Sequence, residues 1–290
     1  SLAPRLSARQ TEKALDVVVV RLPHLSNFTD FTPLESHSLL GVRYVADIRA
    51  LGLPDFVLLP GTKNTMDDLL WLRQSGMEAA LLRLHGAGVP ILGVCGGYQM
   101  LGETVDDPEG TESGRSRSLR GLGLLPVRTV FTGEKTRTRP VAVALAEPFA
   151  GARLEGYEIH MGQTVYCDGD GSGAKGRADK AARSENSAES NRSAFCADDA
   201  MRNTKITENV VSDSTGRIYG SYIHGLFDKG EIAGRMIQTL AREKGISLED
   251  GVWEDYRTIK ERQYDKLADT LREYLRMEEI YGMLREARIS

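Results

Sequence analysis

The 290-residue sequence predicts an α/β protein, with a central, mostly parallel sheet, antiparallel additions and a C-terminal helical extension. Three observations predict it. Short β-branched or leucine-rich runs, each closed by Pro or Gly, alternate with helical spacing over the first hundred residues, the pattern of parallel strands buried on both faces. Strand-like segments then follow one another without intervening helices between residues 121 and 166, as antiparallel additions do. Finally, residues 253–288 repeat apolar side chains at helical spacing.

Residues 1–15 are polar and irregular and begin without Met, so they are expected to be a linker from a missing N-terminal domain. Asp16-Val-Val-Val-Val-Arg21 reads as the first buried strand, and residues 41–46 and 56–59 as the next two, the last ending in Pro60-Gly61. Leu69, Leu70, Leu72, Met77, Ala80, Leu81 and Leu84 give residues 65–85 one apolar helical face. Residues 89–95 read as a strand that turns abruptly at Cys95 into a helix over Gly96 and Gly97. Further strands are expected at 121–126, 128–131, 140–145, 156–160 and 164–166. Residues 168–209 are rich in Gly, Ser, Ala, Asn and charge, with few large apolar side chains, and read as a low-complexity mobile insertion. Order is expected to resume with a strand at 216–224 and a helix at 231–244. The domain expected is therefore 16–245, followed by the helical extension 246–290, whose stripe of Tyr264, Leu267, Leu271, Tyr274 and Leu275 reads as packing.

Composition removes several function classes. With 41% hydrophobic and 27% charged residues the chain can build a core, and a net charge of −4 offers no general attraction to nucleic acid. No apolar run approaches the roughly 20 residues of a membrane span, and nothing at the start of the sequence reads as a signal peptide, so a soluble cytoplasmic protein is expected. Cys95, Cys167 and Cys196 make no CxxC pair, and the five histidines show no zinc spacing, so no metal site is expected. No phosphate-binding loop of the GxxxxGK[ST] type occurs.

The chemistry concentrates at Cys95. Gly93, Gly96 and Gly97 give it the small neighbours that a strained strand-to-helix elbow needs, and the following N–H groups can bind an oxyanion while the helix end favours thiolate. His224, in Gly220-Ser-Tyr-Ile-His-Gly-Leu-Phe-Asp228, also ends a strand with a glycine behind it, which makes it the leading candidate base.

Leu58-Leu-Pro-Gly61-Thr-Lys-Asn-Thr65, Gly93-Val-Cys-Gly-Gly-Tyr-Gln99, Gly156-Tyr-Glu-Ile-His-Met-Gly162 and Tyr222-Ile-His-Gly-Leu-Phe-Asp228 together resemble the class I glutamine amidotransferase domain of cobyric acid synthases. The resemblance extends through Arg21-Leu-Pro-His-Leu-Ser-Asn-Phe-Thr-Asp30, Gly121-Leu-Gly-Leu-Leu-Pro126 and Glu261-Arg-Gln-Tyr-Asp-Lys-Leu-Ala-Asp269. It implies a flavodoxin-like fold in which Cys95 forms a γ-glutamyl thioester, His224 moves the proton, and Gly61 and Gly96 donate to the oxyanion. Gln99 resembles a glutamine that supports substrate or loop geometry. The ammonia released would pass to an ATP-dependent corrinoid synthetase domain, in cis or in trans, with ATP and Mg²⁺ bound there and no cofactor in this chain. The acceptor implied is adenosylcobyrinic acid a,c-diamide, amidated at its b, d, e and g carboxylates.

The resemblance has one departure. Wider class I amidotransferases place a glutamate two residues after the histidine, where this sequence has Leu226. Glu158 and Asp228 are the local carboxylates that could orient His224 instead, unless a Cys/His dyad suffices. His160 is a candidate lining residue, and one of Lys135, Arg137 and Arg139 a candidate for the glutamine α-carboxylate. The competing readings are the glutaminase of a related amidoligase, such as cobyrinic acid a,c-diamide synthase or a cell-wall amidating ligase, and a non-catalytic amidotransferase-like module that holds a partner.

Overall fold

The computed structural model describes residues 13–144, 147–167, 195–197, 210–248 and 256–286. In chain order, β1 (Leu15–Val20) leads through a 3-10 turn at Phe28–Phe31 and the short α1 (Thr32–Glu35) to β2 (Leu40–Val45) and β3 (Phe56–Leu59). Two helices follow, α2 (Thr65–Gln74) and α3 (Met77–Gly86), then β4 (Ile91–Val94) and α4 (Gly96–Leu101). The single helix expected over 65–85 is thus two, because Ser75 ends α2 and Gly76 takes the left-handed conformation (φ 77°) that starts the next.

The β-rich half contains β5 (Thr104–Asp107), β6 (Arg117–Arg120), β7 (Val127–Thr138), β8 (Val141–Ala144), β9 (Arg153–Glu155) and β10 (Tyr157–Tyr166). Here the sequence reading is corrected twice. The run at 121–126 is not a strand, and the strand preceding it is Arg117–Arg120, hidden because Leu119 is its one apolar residue. The two segments expected at 156–160 and 164–166 are one strand, interrupted in register at Met161/Gln163, where Gly162 has φ 91°. β11 (Phe195–Ala197) pairs with β8, while the rest of the 168–209 insertion, like residues 1–12 of the expected linker, lies outside the described residues. The chain continues through β12 (Val210–Ser212), β13 (Ile218–Ser221), β14 (Ile223–His224), α5 (Glu231–Glu243), α6 (Tyr256–Tyr274) and α7 (Met277–Glu286). On α5, Ile232, Ala233, Met236, Ile237, Leu240 and Ala241 are buried along one face, as their spacing requires. The stripe on α6 is not packed as expected among the described residues: Tyr264, Leu267, Leu271, Tyr274 and Leu275 are all exposed. No helix among the described residues is long and apolar enough to cross a membrane.

The main sheet runs β12-β13-β4-β3-β1-β2, parallel except for β12 at one edge. In order of appearance this is the 2-1-3-4-5 winding of a flavodoxin-like sheet, with its topological switch between β1 and β3. β1, β3 and β4 are buried almost throughout, which explains why they read as continuous apolar runs. A second sheet, β14-β10-β7-β5-β6, stands beside the first, and β8 and β9 form a third with β11. The strand expected at 216–224 therefore serves two sheets. Tyr222 is the crossing point: β13 pairs with β4, and two residues on His224 pairs with Tyr157 of β10.

The junction of β4 and α4 tolerates no side chain at two positions. A Cβ on Gly97 would fall 1.9 Å from the Leu59 carbonyl oxygen, and one on Gly93 would fall 2.7 Å from the Gly97 carbonyl. Both obstacles are backbone and cannot swing aside. Gly97→Ala is expected to cost about 3 kcal/mol or more, at the upper end of overpacking effects, measured as a lowered denaturant midpoint. A loss below about 1 kcal/mol would show that this contact is looser than drawn.

Candidate active site

Four neighbouring parallel strands deliver the site residues at their carboxyl ends. β4 ends in Cys95, β13 leads through Tyr222 to His224, β3 ends before Gly61, and the segment after β1 carries Asp30. Cys95 stands at the head of α4 with φ 52° and ψ −111°, a conformation that β-carbon sterics disfavour and that marks a built constraint. Its N–H donates to the Ser221 carbonyl at 2.7 Å, fastening the elbow to β13, and its own carbonyl accepts from the Gln99 N–H at 3.0 Å to open the helix.

His224 is 1% exposed and lies beside Cys95, whose Sγ is 3.9 Å from the Ile159 carbonyl. Its Nδ1 lies 2.7 Å from Asp30 Oδ2, while Asp30 Oδ1 accepts from the Gly225 N–H at 3.2 Å. Tyr157 stacks on the ring at a centroid distance of 5.1 Å, and the Asn27 amide nitrogen lies 2.9 Å from Nδ1. Burial pushes the imidazole down, but the hydrogen bonds and charges of Asp30 and Cys95 overcome it and raise His224 to about 9. At neutral pH the ring is therefore an imidazolium.

The carboxylate on His224 is thus that of Asp30, neither of the two local candidates. Glu158 is buried and accepts from Thr138 Oγ1 at 2.9 Å, one strand position away from the Tyr157 that pairs with His224. Asp228 sits below the Gly225 turn, its N–H on the Gly225 carbonyl. Leu226, which occupies the position of the missing glutamate, is buried in the core. Asp30 reaches the ring because the segment after β1 is tied down: Leu25 bridges to Thr62, Ser26 N–H donates to the Gly61 carbonyl, and Lys63 N–H to the His24 carbonyl.

Gly61 faces the pair directly. A Cβ there would lie in ordinary contact with the pair, 3.4 Å from His224 Cε1 and 3.6 Å from the Cys95 Cβ, which places the Gly61 backbone beside both side chains. A Cβ on Gly96 would strike Thr62 Cγ2 at 2.5 Å. Gly96 is the first residue of α4, so its N–H has no partner within the helix.

A cavity of about 320 Å³ opens over these groups, at the small end of ligand sites. Gln99 lines it, but its amide is fully committed: Nε2 donates to the Met161 carbonyl at 3.0 Å and to Tyr222 Oη at 2.9 Å, and Oε1 accepts from Thr65 Oγ1 at 3.1 Å. It ties four segments together and has no N–H left for a substrate. His160 also lines the cavity, stacked on Tyr222 at 3.6 Å, and burial pulls it down to about 4, which keeps it neutral. Its Nδ1 lies 3.2 Å from the Gly162 carbonyl, and its buried Nε2 has no partner among the described residues. Of the basic cluster, Lys135 lines the cavity, whereas Arg137 and Arg139 do not. Lys63 and Glu112 are lining residues that the sequence reading passed over.

Comparison with known proteins gives the chain's family. Residues 16–232 match the CobB/CobQ-like glutamine amidotransferase domain. Curated relatives include a cobyric acid synthase of Lachnoclostridium phytofermentans, 40% identical over 96% of this chain and 52% of its own length. Another, from Yersinia enterocolitica, is 39% identical over 95% of this chain and 50% of its own. The chain spans about half the length of the curated relatives it matches. Among solved structures, that of PurLQS from Thermotoga maritima superposes with a TM-score of 0.53 at 15% identity, covering 80% of this chain and 99% of that one, a likeness of fold. The chain belongs to the CobB/CobQ-like glutamine amidotransferase domain family.

Proposed function

We propose that this chain is the glutaminase half of a cytoplasmic cobyric acid synthase, with Cys95 as nucleophile, His224 as proton carrier and Asp30 as the carboxylate that orients it. The observation that carries the reading is the grouping of Asp30, His224 and Cys95 at one sheet edge, with Asp30 2.7 Å from the ring and the backbone of Gly61 beside both His224 and Cys95. The sulfur attacks the side-chain carbonyl carbon of glutamine, and the N–H groups of Gly61 and Gly96 receive the oxyanion. As that intermediate collapses, the His224 imidazolium gives its proton to the departing nitrogen, which leaves as ammonia, and a γ-glutamyl thioester remains. The now neutral imidazole takes a proton from water, whose oxygen attacks the thioester; Cys95 leaves with its electron pair and glutamate is released.

The ammonia then goes to an ATP-dependent synthetase portion, where ATP and Mg²⁺ activate the b, d, e and g carboxylates of adenosylcobyrinic acid a,c-diamide. The names of the curated relatives, and their doubled length, support this partner. Glutaminase turnover of the chain by itself is expected to be weak and stimulated by the synthetase portion; equal turnover with and without it would count against coupling.

The direct test is peptide mapping after treatment with 6-diazo-5-oxo-norleucine, a glutamine analogue that alkylates the nucleophile. Cys95 is expected to be labelled selectively, and more slowly in His224→Ala. If Cys95 stays unlabelled even with the synthetase portion present, the reading fails.

A further inference from the structure

We infer that Glu112 is the group that recognises the α-ammonium of the substrate, so that this cavity selects an amino acid and not merely a primary amide. The inference rests on the cavity being a glutamine site. Among the described residues lining it, Glu112 is the one carboxylate, alongside two side-chain cations, Lys63 and Lys135, and the imidazolium of His224. A zwitterion carries both signs of charge at its α-carbon end, and Glu112 is the anionic group among these that matches its ammonium.

The carboxylate is held ready. Its Oε1 accepts from Thr65 N–H and its Oε2 from Met66 N–H, both at 2.8 Å, which leaves lone pairs on each oxygen. From behind, the buried Asp107 accepts from the N–H groups of Thr111, Glu112 and Ser113 at 2.6–3.1 Å and fixes the loop that carries Glu112. These two bonds complete the cap of α2, since Asn64 accepts from Asp67 N–H at 3.0 Å and leaves the N–H groups of Thr65 and Met66 open, and they fix the carboxylate at the cavity wall. Burial raises the carboxyl above its ordinary range despite those donors, as expected of an anion whose counter-charge arrives with a ligand. A second group in the same wall, the Nε2 of neutral His160, without a partner among the described residues, also calls for a polar ligand.

The test compares glutamine with 4-carbamoylbutanoate, the same molecule without its amino group, by Cys95-dependent ammonia release. The wild-type chain is expected to favour glutamine in kcat/KM by on the order of 100-fold, since a charged, buried hydrogen-bonding group is left unpaired by the analogue. Glu112→Gln is expected to reduce the preference for glutamine over the analogue by about that factor, mainly through the KM for glutamine. The substitution also disturbs the bond to Met66 N–H, but that cost falls on both substrates and cancels in their ratio. Parallel losses on both substrates would make Glu112 a structural cap and overturn the inference. So would a wild type that fails to discriminate, a result that needs no variant to fold. If neither amide is hydrolysed and Cys95 resists the diazo ketone, the glutamine reading itself falls, and this one with it.

Discussion

Cys95→Ala is expected to abolish glutamine-dependent amidation in the complete enzyme, by roughly 10⁴-fold or more, while amidation from added ammonium continues at near wild-type rate. The size follows from the role. A nucleophile that forms the covalent intermediate has no substitute, and what remains is the modest catalysis of the oxyanion site alone. The split between nitrogen sources follows from placement: Cys95 is 9% exposed, buried within the β4–α4 junction of this domain, and the site lies wholly on elements of this domain. Alanine keeps a β-carbon at φ 52°, so the elbow carries the same strain in both proteins and stability should barely move. Parallel loss of glutamine- and ammonium-dependent activity would instead mean that Cys95 holds the fold or the partner interface together.

Sites of this kind are unevenly legible in a sequence. Cys95 could be found because its requirements are local. The strand before it, the elbow and the glycines around it occupy adjacent positions, and Gly93 and Gly97 prove to be spaces filled by backbone. His224 was legible for the same reason, ending a strand before a glycine. Asp30 was not. It lies 194 residues from its histidine, in a short 3-10 turn without periodicity, and reaches the ring only through the switch between β1 and β3. The available signal was weaker: an acid just beyond the carboxyl end of a buried parallel strand, inside a motif already noted for its resemblance. Glu158 attracted attention as a carboxylate within the Gly156–Gly162 motif, yet strand pairing sets Tyr157, not Glu158, beside His224. β6 escaped because Leu119 is its one apolar residue, too little for an alternation to register, and the bend in 65–85 because Gly76 lies between two helices that share an apolar face. The α6 stripe was read correctly as helical but its exposure is a property of tertiary structure, which periodicity alone does not contain.

Asp30→Asn tests the assignment that sequence could not make. The wild-type His224 is raised to about 9, so the imidazolium proposed to protonate the departing nitrogen is present through neutral pH and is lost as pH rises through that value. The basic limb of kcat/KM for glutamine should accordingly fall near pH 9. Asparagine keeps the size of the side chain and an oxygen for the Gly225 N–H, but removes the charge and the carboxylate acceptor facing Nδ1. Burial, the largest influence on the ring and one that lowers it, is then opposed by Cys95 alone. The basic limb is expected to move to lower pH, and kcat/KM at pH 7.5 to fall by on the order of 10²- to 10⁴-fold. The corresponding substitution in a serine triad sets the upper figure at about 10⁴, and a thiol, which needs less help from its base, sets a smaller one. Two controls separate orientation from damage. Glu158→Gln should leave the basic limb in place, and ammonium-dependent amidation should survive in Asp30→Asn. A profile for Asp30→Asn that coincides with wild type, with rates within about threefold, would leave a Cys95/His224 dyad and make the 2.7 Å contact incidental to catalysis.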